Sequence, residues 1–180
     1  TFAAQFMLSE KRRKLPSGMT AADIAAIHLY TQHTPLYGGM NSALGGWGDG
    51  GTAAVPHYLP YVKLLMAAFD KLPRISGTLF RGVRLPPATV LGGKKIGDVI
   101  EISAVTSGSF TSDVLRDDSF CGMGDLGERT VLQYATLSAV QIKQFSDFGD
   151  AAAEASKGQD ENDYAGITNE DEGVLVPGSR

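Results

Sequence analysis

The apolar pattern of this chain changes period once, at Pro73, and that change limits the folds open to it. Before Pro73, apolar residues recur three and four apart. Leu59, Val62, Met66, Phe69 and Leu72 form one stripe and predict a helix over residues 57–72, with Pro73 as its stop. An earlier helix is predicted over residues 21–33. Thr20 suits its N-cap, Asp23 falls in its first turn, and Ile24, Ile27 and Thr31 share a face. Between the two, residues 38–51 are glycine-rich and read as loop. After Pro73 the runs are short and β-rich: Thr78–Val83, Asp98–Ile102, Arg129–Thr136, Val140–Phe145 and Glu172–Val176, separated by Gly, Pro, Ser and Asp clusters. Helices first and strands afterwards point to an α+β domain rather than alternating βαβ units. With 180 residues, one domain over 1–180 is expected, with 1–19 as a lead-in segment. The basic run Lys11-Arg12-Arg13-Lys14 reads as a solvated helix face. The polar, alanine-rich stretch 147–169 reads as a long loop, and long loops inside compact domains are often functional.

Several function classes find no support. A net charge of −4 favours neither nucleic acid nor an anionic membrane as partner. The single cysteine, Cys121, forms no internal disulfide. No apolar run reaches the ~18–20 residues that span a bilayer. The first residue, Thr1, is not a methionine, so a trimmed chain is expected, with any secretion signal on the missing part. Gly46-Trp47-Gly48-Asp49-Gly50-Gly51 fits GxGxxG formally, but a helix-like segment precedes it and Pro56 follows, where a dinucleotide-binding unit needs strand, turn and helix. Gly93-Lys94-Lys95 lacks the earlier glycine and the Ser/Thr of a P-loop. Asp160 and Asn162 open like a calcium loop, but Tyr164, Ala165 and Asp171 occupy the wrong positions. His28, His33 and His57 have no zinc spacing, and no metal is expected. No GxSxG elbow occurs, so serine hydrolase chemistry has no footing.

Three short motifs remain. Glu170-Asp171-Glu172 leads into Gly173-Val174-Leu175-Val176-Pro177-Gly178. On a strand, residues two apart share a face, so Glu170 and Glu172 can face one cleft while Asp171 points away. Two close carboxylates repel, so the pair needs a cationic partner or a reaction that uses the charge. Arg81 lies inside the apolar run Leu79-Phe80-Arg81-Gly82-Val83 and therefore needs an anionic partner. Its planar fork suits phosphate or carboxylate. Gly82 beside it would let a ligand approach the backbone, whereas Arg84 reads as a rim residue. Ser107-Gly108-Ser109-Phe110 follows the Asp98–Ile102 run and offers hydroxyls that can orient a carboxylate or a ribose. Each motif alone also fits a plain turn or an acidic strand edge.

Taken in order, aromatic-Arg-Gly, Ser-x-Ser and Glu-x-Glu before Val-Leu-Val-Pro-Gly, the chain resembles the Arg–Ser–Glu class of mono-ADP-ribosyltransferases, known among bacterial toxins and effectors. The flanks resemble it too: Ile96-Gly97-Asp98-Val99-Ile100 before the serines, Val131-Leu132-Gln133-Tyr134 with Val140–Ser146 after them, and Ile27, Tyr30, Tyr37, Asn41 and Leu44 upstream. The middle threonine of Ser-Thr-Ser is Gly108 here. Thr111-Ser112 offers a second register, but Ser107 is preferred because Val105 then takes the apolar position two residues before it.

The resemblance implies the ADP-ribosyltransferase fold, N-terminal helices followed by a β-sandwich-like core of two small sheets. It implies NAD as co-substrate, without metal. Arg81 would clamp the NAD phosphates and Ser107 would hold Glu172. Glu172 would bind the nicotinamide ribose and stabilise an oxocarbenium-like transition state, and Glu170 would act on the acceptor. Gly82, Ser109, Tyr37, Asn41 and Phe120 would complete the NAD site, and Tyr164, in the loop 159–169, would contact the target. The acceptor implied is an arginine of a target protein, with a hydroxyl residue as the other family option. The targets implied are proteins such as a host GTPase, actin or ubiquitin. A secreted or translocated monomer is expected. An NAD glycohydrolase and a non-catalytic interaction module on the same fold are the competing readings.

Overall fold

The computed structural model describes residues 3, 5, 7, 15–32, 34–46, 50–117, 120–122, 124, 127–146 and 170–178. Helices α1 (Ala21–Thr31), α2 (Pro35–Gly45) and α3 (Val55–Asp70) precede the strands, the last entered through a 3₁₀ turn at Gly51–Ala54. Thr20 caps α1 in a reciprocal box with Asp23, whose carboxylate accepts from the Thr20 N–H at 2.7 Å. Asp23 is also buried and takes a 2.7 Å ion pair from Lys71, just past the end of α3. Burial raises its pKa, but these bonds outweigh that and hold the carboxyl below the usual carboxylate range. One capping residue thus also ties α1 to α3. Among the described residues, no helix is long and apolar enough to cross a membrane.

Helix α2 falls where glycines predict loop. Pro35 at its start fixes a helical φ, Met40 and Ala43 are buried, and Gly46 ends it in the left-handed region at φ 76°. Packing of Met40 and Ala43 therefore overrides the weak helix propensity of Gly38 and Gly39. The Gly46 of the formal GxGxxG is a helix cap preceded by a helix.

The strands are β1 (Arg74–Val83), β2 (Thr106–Ser109), β3 (Thr130–Gln141) and β4 (Glu172–Leu175), with a one-turn helix, α4 (Pro87–Leu91), after β1. All pairings are antiparallel. The four strands form one antiparallel sheet, built from a long β1–β3 ribbon and a short β2–β4 ribbon. They join at both edges, Phe80 to Ser109 and Val140 to Val174, so the ring closes in the order β1-β2-β4-β3. Two expected strands merge: the Arg129–Thr136 and Val140–Phe145 runs belong to β3, and Lys143–Phe145 turns away as a 3₁₀ helix. The expected strand Asp98–Ile102 is not formed. Ile96, Val99 and Ile100 are exposed, so no neighbouring strand covers them, and Ile102 makes only an isolated bridge.

Two apolar clusters hold this together. Ile24, Ile27, Tyr30, Met40, Leu65 and Phe69 of the helices pack on Val105, Val140, Ile142, Phe145 and Val174 of the sheet side. Leu79, Ala139 and Leu175 form a second cluster with Phe110 and Tyr134. Gly108, the departure from Ser-Thr-Ser, has a packing cause. A Cβ there would lie 2.8 Å from the Phe80 carbonyl oxygen of β1, so the closed ring has no room for threonine.

Candidate active site

A cavity of about 250 Å³ opens where the helices meet the ring. Arg81 of β1, Ser107 of β2, Glu170 and Glu172 of β4 and its lead-in, and Tyr30 and Tyr37 of the helices line it, with Phe120 at its loop side. Arg81 Nη1 donates to the Ser107 carbonyl at 2.8 Å and to Ser107 Oγ at 3.2 Å. Those bonds fix the plane of the guanidinium, which faces the two carboxylates as their cation.

Glu170 and Glu172 are only 4% and 5% exposed. Both line the cavity, and Asp171 between them does not; it accepts from Gln141 Nε2 at 2.6 Å instead. The strand alternation explains this, since Glu172 opens β4 opposite Ser109. Burial, then the neighbouring Glu170, pushes the Glu172 carboxyl up to about 8, against the opposing pull of Ser146 and Arg81. Burial likewise raises Glu170 to about 7, again against Arg81. The cavity therefore holds two carboxyls that titrate near neutrality beside a guanidinium. Perturbed acids grouped in a cleft mark a candidate functional site.

The residue holding Glu172 differs from expectation. Ser107 was expected to bond it, but Ser107 accepts from Arg81. The hydroxyl on Glu172 belongs to Ser146, whose Oγ donates to Oε2 at 2.5 Å. The β2–β4 register is the reason: it sets Ser107 opposite Val174 and Ser109 opposite Glu172. Ser109 in turn is engaged locally, its Oγ accepting from the Thr111 N–H at 3.2 Å, and it does not line the cavity. Asn41 is buried and also outside the cavity lining, and its Oδ1 has no hydrogen-bond partner among the described residues. Gly82 lines the cavity, but its lack of a side chain also answers to Cys121. A Cβ there would lie 2.5 Å from the Cys121 sulfur. Arg84 is exposed and donates from Nε to the Phe120 carbonyl at 2.8 Å, bracing the loop side of the cavity. Tyr164 and its loop lie outside the described residues, as do the Lys11–Lys14 run and His33. Among the described residues, no three of His, Cys, Asp and Glu converge as metal donors.

Sequence reasoning missed Ser146, Gln32 and Leu115 at this site, and the cavity lining includes Tyr30, which the family resemblance names upstream. Tyr30 is fully buried, donates to the Val105 carbonyl at 3.3 Å, and packs on Tyr37 with ring centres 5.2 Å apart.

A family model described as NAD:arginine ADP-ribosyltransferase matches residues 3–154. No curated protein sequence matches the chain. Among solved structures, the Vis toxin, an ADP-ribosyltransferase from Vibrio splendidus, aligns with a TM-score of 0.57 at 21% identity, over 98% of this chain and 71% of that one. A further Vis structure holds agmatine. The eukaryotic mono-ADP-ribosyltransferase ART2.2 aligns at 0.59 and 16% identity, over 98% and 73%. The type III effector XopAI from Xanthomonas axonopodis pv. citri aligns at 0.61 and 20% identity, over 98% and 63%. At these identities the structural likeness speaks to the fold. The match to the family model ends before Glu170 and Glu172, which join the matched part through the ring.

Proposed function

The chain belongs to the NAD:arginine ADP-ribosyltransferase family and is an NAD-dependent ADP-ribosyltransferase, and from that premise we propose that it cleaves NAD at the nicotinamide–ribose bond and passes ADP-ribose to an arginine side chain of a target protein. The observation that carries this reading is the pair of buried carboxyls, Glu170 and Glu172, facing Arg81 in one cavity. NAD bears an anionic pyrophosphate and a cationic nicotinamide, and the cavity offers the opposite charge to each. Arg81, with its fork oriented by Ser107, suits the phosphates. Phe120, Tyr37 and Gly82 supply the walls, and Tyr30 closes the helix side.

Glu172 is the group that stabilises charge. When the bond to nicotinamide breaks, its electron pair neutralises the ring nitrogen and the ribose carbon becomes positive. A carboxylate fixed beside that carbon favours the change, and removing such a group typically costs ~10²–10³-fold in rate. Glu170 is the base. An arginine acceptor has a pKa above ~12 and must lose a proton to attack. Glu170 at about 7 can take that proton near neutral pH. The products are nicotinamide, the modified guanidinium and one proton. The arginine acceptor is supported by the description of the matched family, and the agmatine held by Vis carries the same guanidinium. The toxin and effector names of Vis and XopAI support a role as an effector acting on a host protein, and a GTPase, actin or ubiquitin is the kind of target the family resemblance implies.

The test measures nicotinamide release and ADP-ribosyl-agmatine formation together. Wild type should do both. Glu170→Gln should lose transfer by about 10²–10⁴-fold while still releasing nicotinamide to water. Glu172→Gln should lose both activities. Release without transfer in the wild type identifies a glycohydrolase, and no release at all overturns the reading.

A further inference from the structure

We infer that Ser146 is a positioning residue for Glu172, and that its hydroxyl, delivered by the turn after β3, sets the orientation and charge of that carboxyl during NAD cleavage. The inference rests on the function proposed above, because it concerns the same carboxyl.

The geometry begins at the last rung of the ladder. The Ile142 N–H donates to the Glu172 carbonyl at 2.9 Å, which aligns the end of β3 with the start of β4. The chain then folds back at once. Phe145 N–H donates to the Ile142 carbonyl at 2.8 Å, and Ser146 N–H donates to the same carbonyl at 3.1 Å. This 3₁₀ turn returns Ser146 to the height of Glu172, and its Oγ reaches Oε2 at 2.5 Å. A hydroxyl donating to that oxygen favours the charged form of the carboxyl.

The turn is anchored on two sides. Phe145 is fully buried in the core. Its carbonyl lies 2.9 Å from His28 Nδ1 of α1. Ser146 itself is fully buried, so water does not compete for its hydroxyl. Among the described residues, the titratable and charged groups that face Glu172 are Glu170 on its own chain segment, Arg81 of β1 and Tyr30 of α1. Glu170 and burial favour the neutral carboxyl, while Arg81 and Ser146 favour the charged form that the reaction needs. Arg81 has another task on the substrate phosphates and bonds Ser107. Ser146 is the neutral donor placed on the carboxyl itself.

The experiment compares wild type with Ser146→Ala, Ser146→Thr and Ser146→Cys. Nicotinamide release gives kcat and KM for NAD as a function of pH. Separately, carboxyl carbon NMR follows the Glu172 titration in the protein without NAD. Loss of one hydrogen bond to a charged group predicts a kcat lower by about 10- to 100-fold for Ser146→Ala. KM for NAD should stay within about twofold, because the phosphate contacts are untouched. The acid limb of the rate profile and the Glu172 midpoint should both move up by about one pH unit or more. Ser146→Thr, which keeps the hydroxyl, should return both toward wild type. Ser146→Cys, a weaker donor of similar size, should lie between them, and it replaces the alanine variant if that protein does not fold. A Glu172 midpoint that does not move in the alanine or cysteine variant overturns the inference, even if activity falls, because a purely structural role would lower activity without it. A wild type that releases no nicotinamide overturns the underlying reading and this inference with it. Turnover in the wild type with unchanged variants overturns the inference alone.

Discussion

Replacing Glu172 with glutamine should make the protein more stable in alkaline solution while abolishing its chemistry. The carboxyl is 5% exposed and titrates at about 8 in the folded chain, against 4.5 ordinarily. The sign follows directly. Because the folded pKa is raised, the folded chain keeps a proton that the unfolded chain releases. The protonated carboxyl costs the fold nothing extra below pH about 4.5, and stability falls as pH rises from there through about 8. The difference of roughly 3.5 pH units corresponds to a loss on the order of 4 to 5 kcal/mol by about pH 9. Glutamine cannot ionise, so the variant escapes that loss. Its amide hydrogens enter a space shaped for a carboxyl and carry a pH-independent cost of about 1 to 3 kcal/mol. The level of the curve is therefore less informative than its slope. Urea unfolding of both proteins at about pH 5, pH 7 and pH 9 gives the difference, because groups remote from the site titrate alike in both and only those coupled to Glu172, Glu170 above all, change with it. The variant should gain a few kcal/mol on the wild type between about pH 5 and pH 9. Near its midpoint that is roughly 10 °C in Tm for a chain of this size. Parallel curves, or a variant that loses ground as pH rises, would refute the argument that burial governs this carboxyl.

Two further outcomes test the architecture of the site. NAD binding should release a proton, because the cationic nicotinamide stabilises the ionised Glu172. Affinity should thus rise from about pH 6 to pH 8, and calorimetry in buffers of different ionisation enthalpy should detect the released proton. Gly82→Ala should cost about 1 to 3 kcal/mol through its collision with the Cys121 sulfur. Cys121→Ala should cancel most of that cost in the double variant, and additive costs in the cycle would contradict the packing account.

What could be read from the chain beforehand depended on how local each cause is. The segregation of helices and strands at Pro73 is a matter of periodicity, and so is the shared face of Glu170 and Glu172. Arg81 stood out because a guanidinium inside an apolar run needs a partner. Other features have distant causes. Helix α2 forms because Met40 and Ala43 are buried in the fold, and no count of glycines contains that. Ile96, Val99 and Ile100 look like strand residues, yet a strand needs a neighbour and the ring closes without them. Which serine serves Glu172 depends on the β2–β4 register and on a turn 26 residues earlier in the chain, so Ser107 was the reasonable choice and Ser146 the observed one. Gly108 stands where threonine was expected because of β1, 28 residues before it, whose Phe80 carbonyl leaves no room.

The closed ring has a consequence for when the protein can be active. The strand that carries Glu172 is also the one that completes the closure, lying between β2 and β3. It is the last of the described strands to leave the ribosome. Until it inserts, Arg81 can already be oriented by Ser107, but the carboxyls are absent from the cavity. On the roles proposed above, intermediates that lack β4 hold Arg81 for the phosphates without the carboxyls that would break the glycosidic bond. The same holds for a mature molecule whose β4 detaches: it loses its chemistry with that single event, while the helical core built on Ile24, Leu65 and Phe69 can persist. On that reading, closing the ring and arming the site are one step.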